Sequence, residues 1–467
     1  MSAAFSLLLS TFVATSITQS PAAPPVEPRV VARTAEGPHF RAVAHFDSQL
    51  AADETLAAAE AVVPFATIVY GAIALPTDTR IEIHLYPGER EYLEVESRVT
   101  HGAFARNLAF TDARTFQAHV ALQPPIPLAA FEQGGTPLAT KRNVAHEAVH
   151  AWSHRAWAHA GRLPFWFAEG AATWAADEAL RARGYVTDPM EDPFASTNAL
   201  LVQALLTRAW LPPLASIVDG LPGGLTFDER YAVAGRVFAF LRDPARAELF
   251  ARVRDAVSAA ARDADPNGDV TAIVARACRA AMGDEAATAA IQSAFEAHVR
   301  GLRPGWEETF RALWPAGDGW VQCASAEANA MAWRTTRAGD AAYAIEGDVA
   351  LLPGPTSQMN LLLARTEDGF VQVSFVAGHG VDVFTFDRRL GPDAAWTKIA
   401  SAPVAGFDAG RFHAFRVVVE APTVTVWLGD KPVCAPRLEG RSLGGAFGLG
   451  ALARSSGLWR KIAQKRL

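Results

Sequence analysis

The chain has 467 residues, of which 50% are hydrophobic and 20% charged, a composition that excludes a disordered or fibrous protein. One core rarely organises so many residues, so two domains are expected. The formal charge of -6 disfavours nucleic acid as a partner, because proteins that neutralise its backbone are normally basic. Three cysteines exclude a disulfide-dense scaffold and a four-cysteine zinc site. They allow at most one bridge and do not indicate which pair would form it.

Residues 1–28 are predicted to be a signal peptide and a Pro/Ala-rich leader. The apolar run in residues 1–16 is too short to span a bilayer and stands where a secretory h-region would, although its only positive charge is the terminal amine. We therefore expect a secreted or periplasmic protein, with an uncleaved leader as the alternative. No other stretch reaches membrane-spanning length, so no transmembrane segment is expected.

Residues 29–315 have a mixed pattern that predicts an α+β domain, mostly helical after residue 136. Ile81, Ile83 and Leu85 alternate with polar neighbours, as in a half-buried strand. The predicted strands are His39–Phe46, Arg80–Tyr86 and Phe116–Leu122, and an Ala-rich helix is predicted over Leu50–Tyr70. The later predicted helices are 137–160, 164–183, 196–209, 228–242, 245–262, 270–282 and 284–301.

Residues 316–467 change to short alternating runs separated by turns, which predicts an all-β sandwich. The Pro- and Gly-containing run at 314–319 would form the joint between the two domains. Gly429-Asp430-Lys431 is a hairpin signal after an alternating run. The predicted strands are 343–352, 359–364, 370–375, 381–386, 412–419 and 424–428.

The segment His146-Glu147-Ala-Val-His150 is the clearest candidate for a functional site in the sequence. Two imidazoles four residues apart on a helix project to the same side and can share one metal ion. Glu147 lies about 100° round from His146, so all three side chains can point toward one cleft. Thr136 is the expected N-cap, Pro137 the first helical residue and Gly161 the end of this helix.

A third ligand is expected because a catalytic zinc usually has three protein ligands and one open position. Glu169 is the candidate, a lone carboxylate among apolar residues of the next predicted helix. His154, another four residues along the motif helix, is an alternative ligand or a polar residue near the cleft rim. The tryptophans of the two helices are expected to pack between them rather than to form a ligand platform. These are Trp152, Trp157, Trp166 and Trp174.

The motif His-Glu-x-x-His, 18 residues and then Glu169, with Pro164-x-Trp-x-x-Glu-Gly170, resembles the gluzincin zinc metallopeptidases, the peptidase MA-like group. The resemblance implies a zincin-like fold and one Zn2+ per chain on His146, His150 and Glu169. It makes Glu147 the general base that takes the proton of a zinc-activated water during attack on a peptide bond. Tyr231 is the best match to the donor that stabilises the oxyanion, or else a packing residue.

The chain departs from the gluzincin pattern in two places. Thr173 stands one turn after Glu169, where the family has a second carboxylate. A hydrogen-bond partner for the zinc-binding imidazoles is therefore not evident. Asp177 and Glu178 lie one turn further on. No strand typical of the exopeptidases is present, so endopeptidase action is the expectation.

Residues 320–467 resemble the concanavalin-like, laminin-G-type jelly roll through the run 424–433 and the Gly-rich ending 445–451. The resemblance implies a possible ligand at this domain, a glycan or a protein surface, with a purely structural role as the alternative. Glycosidase chemistry needs two flanking carboxylates. Glu346-Gly-Asp348 begins such a pattern, but Leu351 occupies its last position. The basic residues at 460–466 alternate as a closing strand should and are interpreted as a solvated face.

The sequence therefore predicts an exported zinc peptidase that acts on a peptide or protein substrate and carries a β-sandwich appendage. The alternative is a non-catalytic protein that keeps the zinc fold and binds a glycan or protein through the sandwich. The presence of Glu147 favours the enzyme, because a binding protein would not need a base beside the metal.

Overall fold

The computed structural model describes residues 32–467 except 77–78, 105–106, 123–134, 158, 187–192, 222, 264–268, 305, 310–312, 316–319, 325–329, 335–341, 354–355, 391–394 and 453–454. The predicted leader, residues 1–28, lies outside the described residues. In the part of the chain that is described, no helix combines the length and apolarity needed to cross a membrane.

The helices, α1 to α11 in chain order, are Gln49–Ala61, Val63–Tyr70, Glu89–Thr100, Leu138–Ala156, Phe165–Ala182, Pro193–Thr207, Leu214–Gly220, Phe227–Leu241, Ala247–Asp263, Val270–Met282 and Glu285–Gly301. The first strands, β1 to β5, are Arg33–Glu36, Phe40–Ala44, Ile81–Tyr86, Ala109–Asp112 and Gln117–Ala121. Strands β6 to β19 are Trp306–Thr309, Leu313–Pro315, Trp320–Ala324, Ala330–Arg334, Tyr343–Leu351, Gln358–Arg365, Gly369–Val376, Gly380–Asp387, Trp396–Pro403, Phe412–Glu420, Thr423–Leu428, Lys431–Cys434, Ala446–Ala451 and Ser456–Arg466.

A five-stranded mixed sheet in the order β1-β2-β3-β5-β4 precedes the helical region. Strands β2, β3 and β5 are parallel, whereas β1 and β4 pair antiparallel at the two edges. Ile83, Leu85 and Val120 belong to the core that this face shares with α1 and α4. Helix α3 contacts the other side of the sheet, where Tyr92 and Phe110 are buried. This arrangement confirms the predicted α+β class and leaves β4 as an edge strand.

Most helices of the first domain lie within a few residues of their predicted bounds, but three details differ. The predicted helix over Leu50–Tyr70 is two helices, because Pro64 in the first turn of α2 has no N–H to continue the bonding of α1. Helices α3 and α7 were not predicted. The motif helix α4 begins after Pro137, which takes the N-cap position expected of Thr136, and it ends at Ala156 rather than near Gly161.

Two seven-stranded antiparallel sheets form the C-terminal part, which confirms the all-β prediction. Their orders are β17-β16-β15-β10-β19-β8-β7 and β14-β13-β12-β11-β18-β9-β6. The core between them is apolar on both inner faces and includes Phe375, Val417 and Trp459. The basic ending forms β19, and Arg460 pairs with Asp348 of the neighbouring strand at 2.8 Å. Cys278 and Cys434 are free thiols.

Residues 316–319 of the joint expected at 314–319 lie outside the described residues, and the strands on both sides of them belong to the sandwich sheets. Strand β6 pairs with β9, and Leu313–Pro315 pairs antiparallel with Trp320–Ala324. Pro and Gly suit a connection between paired strands as well as a joint between domains. The helical part ends at Gly301, and the sandwich begins at Trp306.

Candidate metal centre

Helix α4 is held firmly along its length. Ala145, Val149 and Trp152 are at most 1% exposed and form an apolar stripe along one side of the helix. At its start, the buried Lys141 ammonium lies 3.0 Å from the Glu54 carboxylate of α1, which also accepts the backbone N–H of Thr136. These contacts fix the helix that carries the two histidines.

Helix α5, which carries Glu169, packs very closely against helix α8. A Cβ at Gly170 would lie 2.6 Å from the Ala234 carbonyl oxygen of α8, closer than real Cβ contacts allow. Glycine is therefore required beside Glu169 if α8 is to pack at this distance. The close packing brings Tyr231 of α8 next to Glu169 of α5.

The three predicted ligands meet at one point. The His146 Nε2 atom lies 3.0 Å from Glu169 Oε2, and the His150 Nε2 atom lies 3.1 Å from His146 Nε2 and 3.4 Å from Glu169 Oε2. Among the described residues, this is the group of His, Cys, Asp or Glu whose ligand atoms come within 4.8 Å of one another. His154 lies outside it, with its ring 6.3 Å from that of Phe116.

This donor set fits zinc. Two imidazole nitrogens and a carboxylate oxygen are ordinary zinc ligands, and atoms bonded tetrahedrally to zinc at 2.0–2.1 Å lie about 3.3 Å apart. The observed separations of 3.0, 3.1 and 3.4 Å are close to that spacing. Three ligands leave a fourth position open, as in catalytic rather than structural zinc sites.

The triad is partly buried, with 15–17% of each side chain exposed, and its members perturb one another's ionisation. Burial opposes ionisation of Glu169, but His150 and His146 hold the pKa of its carboxyl well below the usual range. Burial alone would lower the pKa of His150, yet the charge of Glu169 and its hydrogen bond raise that pKa to about 9. Glu169 is thus a carboxylate at neutral pH, the form in which it can bind a cation.

Glu147 lies beside the triad and is only 8% exposed. The Thr111 hydroxyl of edge strand β4 lies 2.7 Å from Glu147 Oε2 and 3.0 Å from the Glu147 carbonyl oxygen. The hydroxyl donates to the carboxylate oxygen and so fixes the rotamer of that side chain. The second carboxylate oxygen, Oε1, is left for another partner.

Tyr231 lies next to the triad, as the resemblance implies. Its ring centroid is 6.3 Å from that of His146, and its hydroxyl lies near the Glu169 carboxylate. Burial, followed by the nearby charges of Glu169 and Glu147, raises the pKa of Tyr231 well above its usual value. The phenol therefore keeps its proton at neutral pH and remains a hydrogen-bond donor.

Other sequence candidates have structural roles. Asp177, considered as a partner for the zinc imidazoles, pairs instead with Arg142 at 3.2 Å. The packing interpretation of the tryptophans is confirmed: Trp152 and Trp166 donate to the carbonyls of Gly71 and Val218, and all four are at most 8% exposed. Glu346 of the incomplete glycosidase pattern pairs with Lys465 across the sheet.

Sequence reasoning missed Thr111 and Gly170 as contributors to the site. Thr111 reaches the motif only through a tertiary contact, because no sequence spacing links edge strand β4 to helix α4. Gly170 did carry a signal, because glycine inside a helix costs about 1 kcal/mol relative to alanine and usually has a packing reason.

The outer face of the second sandwich sheet carries both polar and apolar side chains. Gln372 donates to Ser374 at 2.8 Å, and Asp382 accepts from Lys398 at 2.8 Å. Gln372 and Asp382 are only 7% and 8% exposed. The same face holds a buried apolar cluster of Trp333, Leu362, Phe370 and Ala446. Trp396, which is 38% exposed, has its ring 4.9 Å from that of Phe386.

No protein-family model and no curated protein matches the chain. Among solved structures, a carbohydrate-binding module, CBM66, from Bacillus subtilis is 17% identical, over 34% of this chain and 95% of the module, with a TM-score of 0.28. Sheep galectin-11 in complex with glycerol is 15% identical, over 30% of this chain and 99% of the galectin, with a TM-score of 0.23. An alginate lyase, A1-II', is 9% identical, over 34% of this chain and 85% of the lyase, with a TM-score of 0.26. Likenesses this distant carry no argument, and the sandwich assignment rests on the strand pairings described above.

Proposed function

We propose that the chain is an exported zinc-dependent peptidase of the gluzincin type, with its zinc on His146, His150 and Glu169. The observation that carries the proposal is the tetrahedral spacing of these ligand atoms. The Glu147 carboxylate lies next to them, on the helix that carries the two histidines. The apolar run in residues 1–16 supports export. The missing exopeptidase strand supports internal cleavage of peptides.

The side chains around the ligands suit peptide hydrolysis. A zinc ion held there would act as a Lewis acid and lower the pKa of a water molecule to about 7. Glu147 has Oε2 held by Thr111, so Oε1 can accept a proton from water and pass it to the leaving amine. Tyr231, kept protonated by its surroundings, can donate to the oxyanion that develops on the peptide carbonyl.

Metal analysis and a peptide library test the proposal together. Purified protein should contain about one zinc per chain, and a chelator should abolish cleavage of the library. Glu147→Gln should hold the same zinc and lose cleavage. If the zinc-loaded wild type and Glu147→Gln both leave the library intact, the peptidase proposal is wrong.

A second candidate function is glycan binding by a concanavalin-like sandwich, and the outer face of its second sheet favours it. Sugars are bound by aromatic faces together with amide, hydroxyl and carboxylate groups. On this face Trp396 is 38% exposed, and the mostly buried polar side chains of Gln372 and Asp382 lie on the two strands beside it. A glycan array probed with the full chain tests this function. Trp396→Ala should lose the bound glycans, whereas Trp210→Ala, an exposed tryptophan of the helical part, should keep them. An array without binding would contradict this function.

A further inference from the structure

Two helices of the first domain start in the same way. Phe165 is the first residue of α5 and lies one turn before the ligand Glu169. Phe227 is the first residue of α8 and lies one turn before Tyr231. Residues four apart on a helix share a face. Each phenylalanine is thus on the face of its helix that carries the site residue, about 6 Å further toward the N-terminus.

The two phenylalanines meet on the Tyr231 ring. The ring centroids of Phe227 and Tyr231 are 4.7 Å apart, and those of Phe165 and Tyr231 are 5.0 Å apart in an edge-to-face arrangement. The Tyr231 ring is in turn 6.3 Å from the His146 ring. We call Phe165, Phe227 and Tyr231 the aromatic patch. It is continuous with the metal centre.

The patch is fixed in place, yet one member stays exposed. Thr226 and Glu229 form a capping box that defines the start of α8, and the Arg230 guanidinium lies 4.6 Å from the centre of the Phe165 ring. Phe227 nevertheless keeps 55% of its surface exposed. Large apolar side chains placed together at the surface indicate a binding surface more often than isolated ones do.

We infer that the aromatic patch binds an apolar side chain of the peptide substrate, aromatic or large aliphatic, close to the bond that is cleaved. The inference rests on the proposed peptidase function. An extended peptide advances about 3.3 Å per residue, so a side chain held one helical turn from the ligands belongs to a residue next to the cleaved bond or one further along. Rings that already contact one another offer this side chain a rigid apolar surface.

A series of internally quenched peptides that differ at one position, with Phe, Leu, Ala or Asp, tests the inference on the zinc-loaded full chain. The wild type should prefer Phe and Leu on one side of the cleaved bond. Phe227→Ser should lower kcat/KM for those peptides about tenfold more than for the Ala peptide, because only the large side chains use the patch. Trp210→Ser, which removes an exposed aromatic residue elsewhere, should leave the preference unchanged.

Binding provides a readout that does not depend on turnover. Glu147→Gln loaded with zinc should bind the uncleaved Phe peptide about tenfold more tightly than the Ala peptide, and Phe227→Ser in that background should remove the difference. Unchanged unfolding temperatures would show that the variants are folded. If the wild type cleaves peptides without an apolar preference, or Phe227→Ser keeps that preference, the patch inference is wrong although the peptidase proposal stands. If nothing is cleaved, the peptidase proposal fails. Equal binding of the Phe and Ala peptides to zinc-loaded Glu147→Gln would then overturn the patch inference as well.

Discussion

The Thr111 hydroxyl lies 2.7 Å from the Glu147 carboxylate and 3.0 Å from the carbonyl oxygen of the same residue. The contact joins edge strand β4 to the motif helix α4 at the residue proposed as the general base. Because the hydroxyl donates its one hydrogen to the carboxylate, the Glu147 side chain is held in one orientation. Thr111 is therefore expected to act as a positioning residue for Glu147.

Thr111→Val keeps the shape of the side chain and removes its hydroxyl. We expect kcat to fall about 10–100-fold with KM nearly unchanged, since a misoriented base slows the chemical step and not substrate binding. Thr111→Ser restores a hydroxyl and should recover most of the rate. Both variants should bind zinc as the wild type does; equal kcat values in Thr111→Val and Thr111→Ser would refute a positioning role.

Zinc should stabilise the folded chain through the triad. At a free zinc concentration a hundredfold above Kd, the free energy of unfolding should increase by about 2.7 kcal/mol, measured as a rise in the unfolding temperature. His150→Ala should remove most of this rise because it deletes one of three ligands. His154→Ala, on the same helix but outside the ligand group, is the control and should keep it.

Acid should destabilise the sheet through three buried histidines. His45 Nε2 and His84 Nδ1 are 3.0 Å apart, and His84 stacks on His119 at 5.0 Å. Burial, and then the charge of His84, lowers the pKa of His45 to about 4 and that of His119 to about 3, and burial also lowers the pKa of His84. These pKa values lie below the unfolded value near 6.5, so the unfolded chain binds more protons at acid pH.

The contribution of these histidines to the free energy of unfolding should therefore be fully present above about pH 6.5 and should fall as the pH drops from there to about 3. Denaturant titrations over this range measure the slope. His119→Asn should have a shallower slope, whereas His101→Asn, at an exposed position, should have the slope of the wild type. Identical slopes in all three proteins would contradict the role of the buried cluster.

Removing Glu54 should destabilise the start of the motif helix. Lys141 is 3% exposed and would lose its carboxylate at 3.0 Å, leaving a buried ammonium unpaired. We expect Glu54→Ala to lower the free energy of unfolding by about 3 kcal/mol, measured by denaturant titration. Asp53→Ala, which removes an exposed carboxylate from the same helix, should cost clearly less.

The close approach of α5 and α8 depends on Gly170. Gly170→Ala would place a methyl group 2.6 Å from the Ala234 carbonyl oxygen. The helices would have to separate, so we expect a loss of about 1–3 kcal/mol in the free energy of unfolding and a lower kcat, as Tyr231 moves from Glu169. Gly223→Ala meets no atom within 4 Å and should change neither quantity.

The sequence predicted what depends on local pattern. The bounds of α10 agree fully with the prediction at 270–282, and the motif spacing alone indicated His150 and Glu169, which the structure brings together with His146. Contacts between distant segments were not predictable in this way. Thr111 reaches Glu147 only because β4 folds onto the edge of the sheet, and Glu54 reaches Lys141 only because α1 packs on α4. The boundary at 314–319 was misplaced because Pro and Gly serve hairpins and domain joints alike.

The proposed ligands and the proposed catalytic groups lie at different separations along the chain. The three proposed ligands lie on consecutive helices, Leu138–Ala156 and Phe165–Ala182, so the loop that metal binding would close is short and costs little entropy. Thr111 and Tyr231 come from β4 and α8, which require long-range contacts. Metal binding would thus be a local event that tolerates loosening elsewhere in the fold. Under the proposed function, a partly folded or damaged chain would keep zinc while losing peptide hydrolysis.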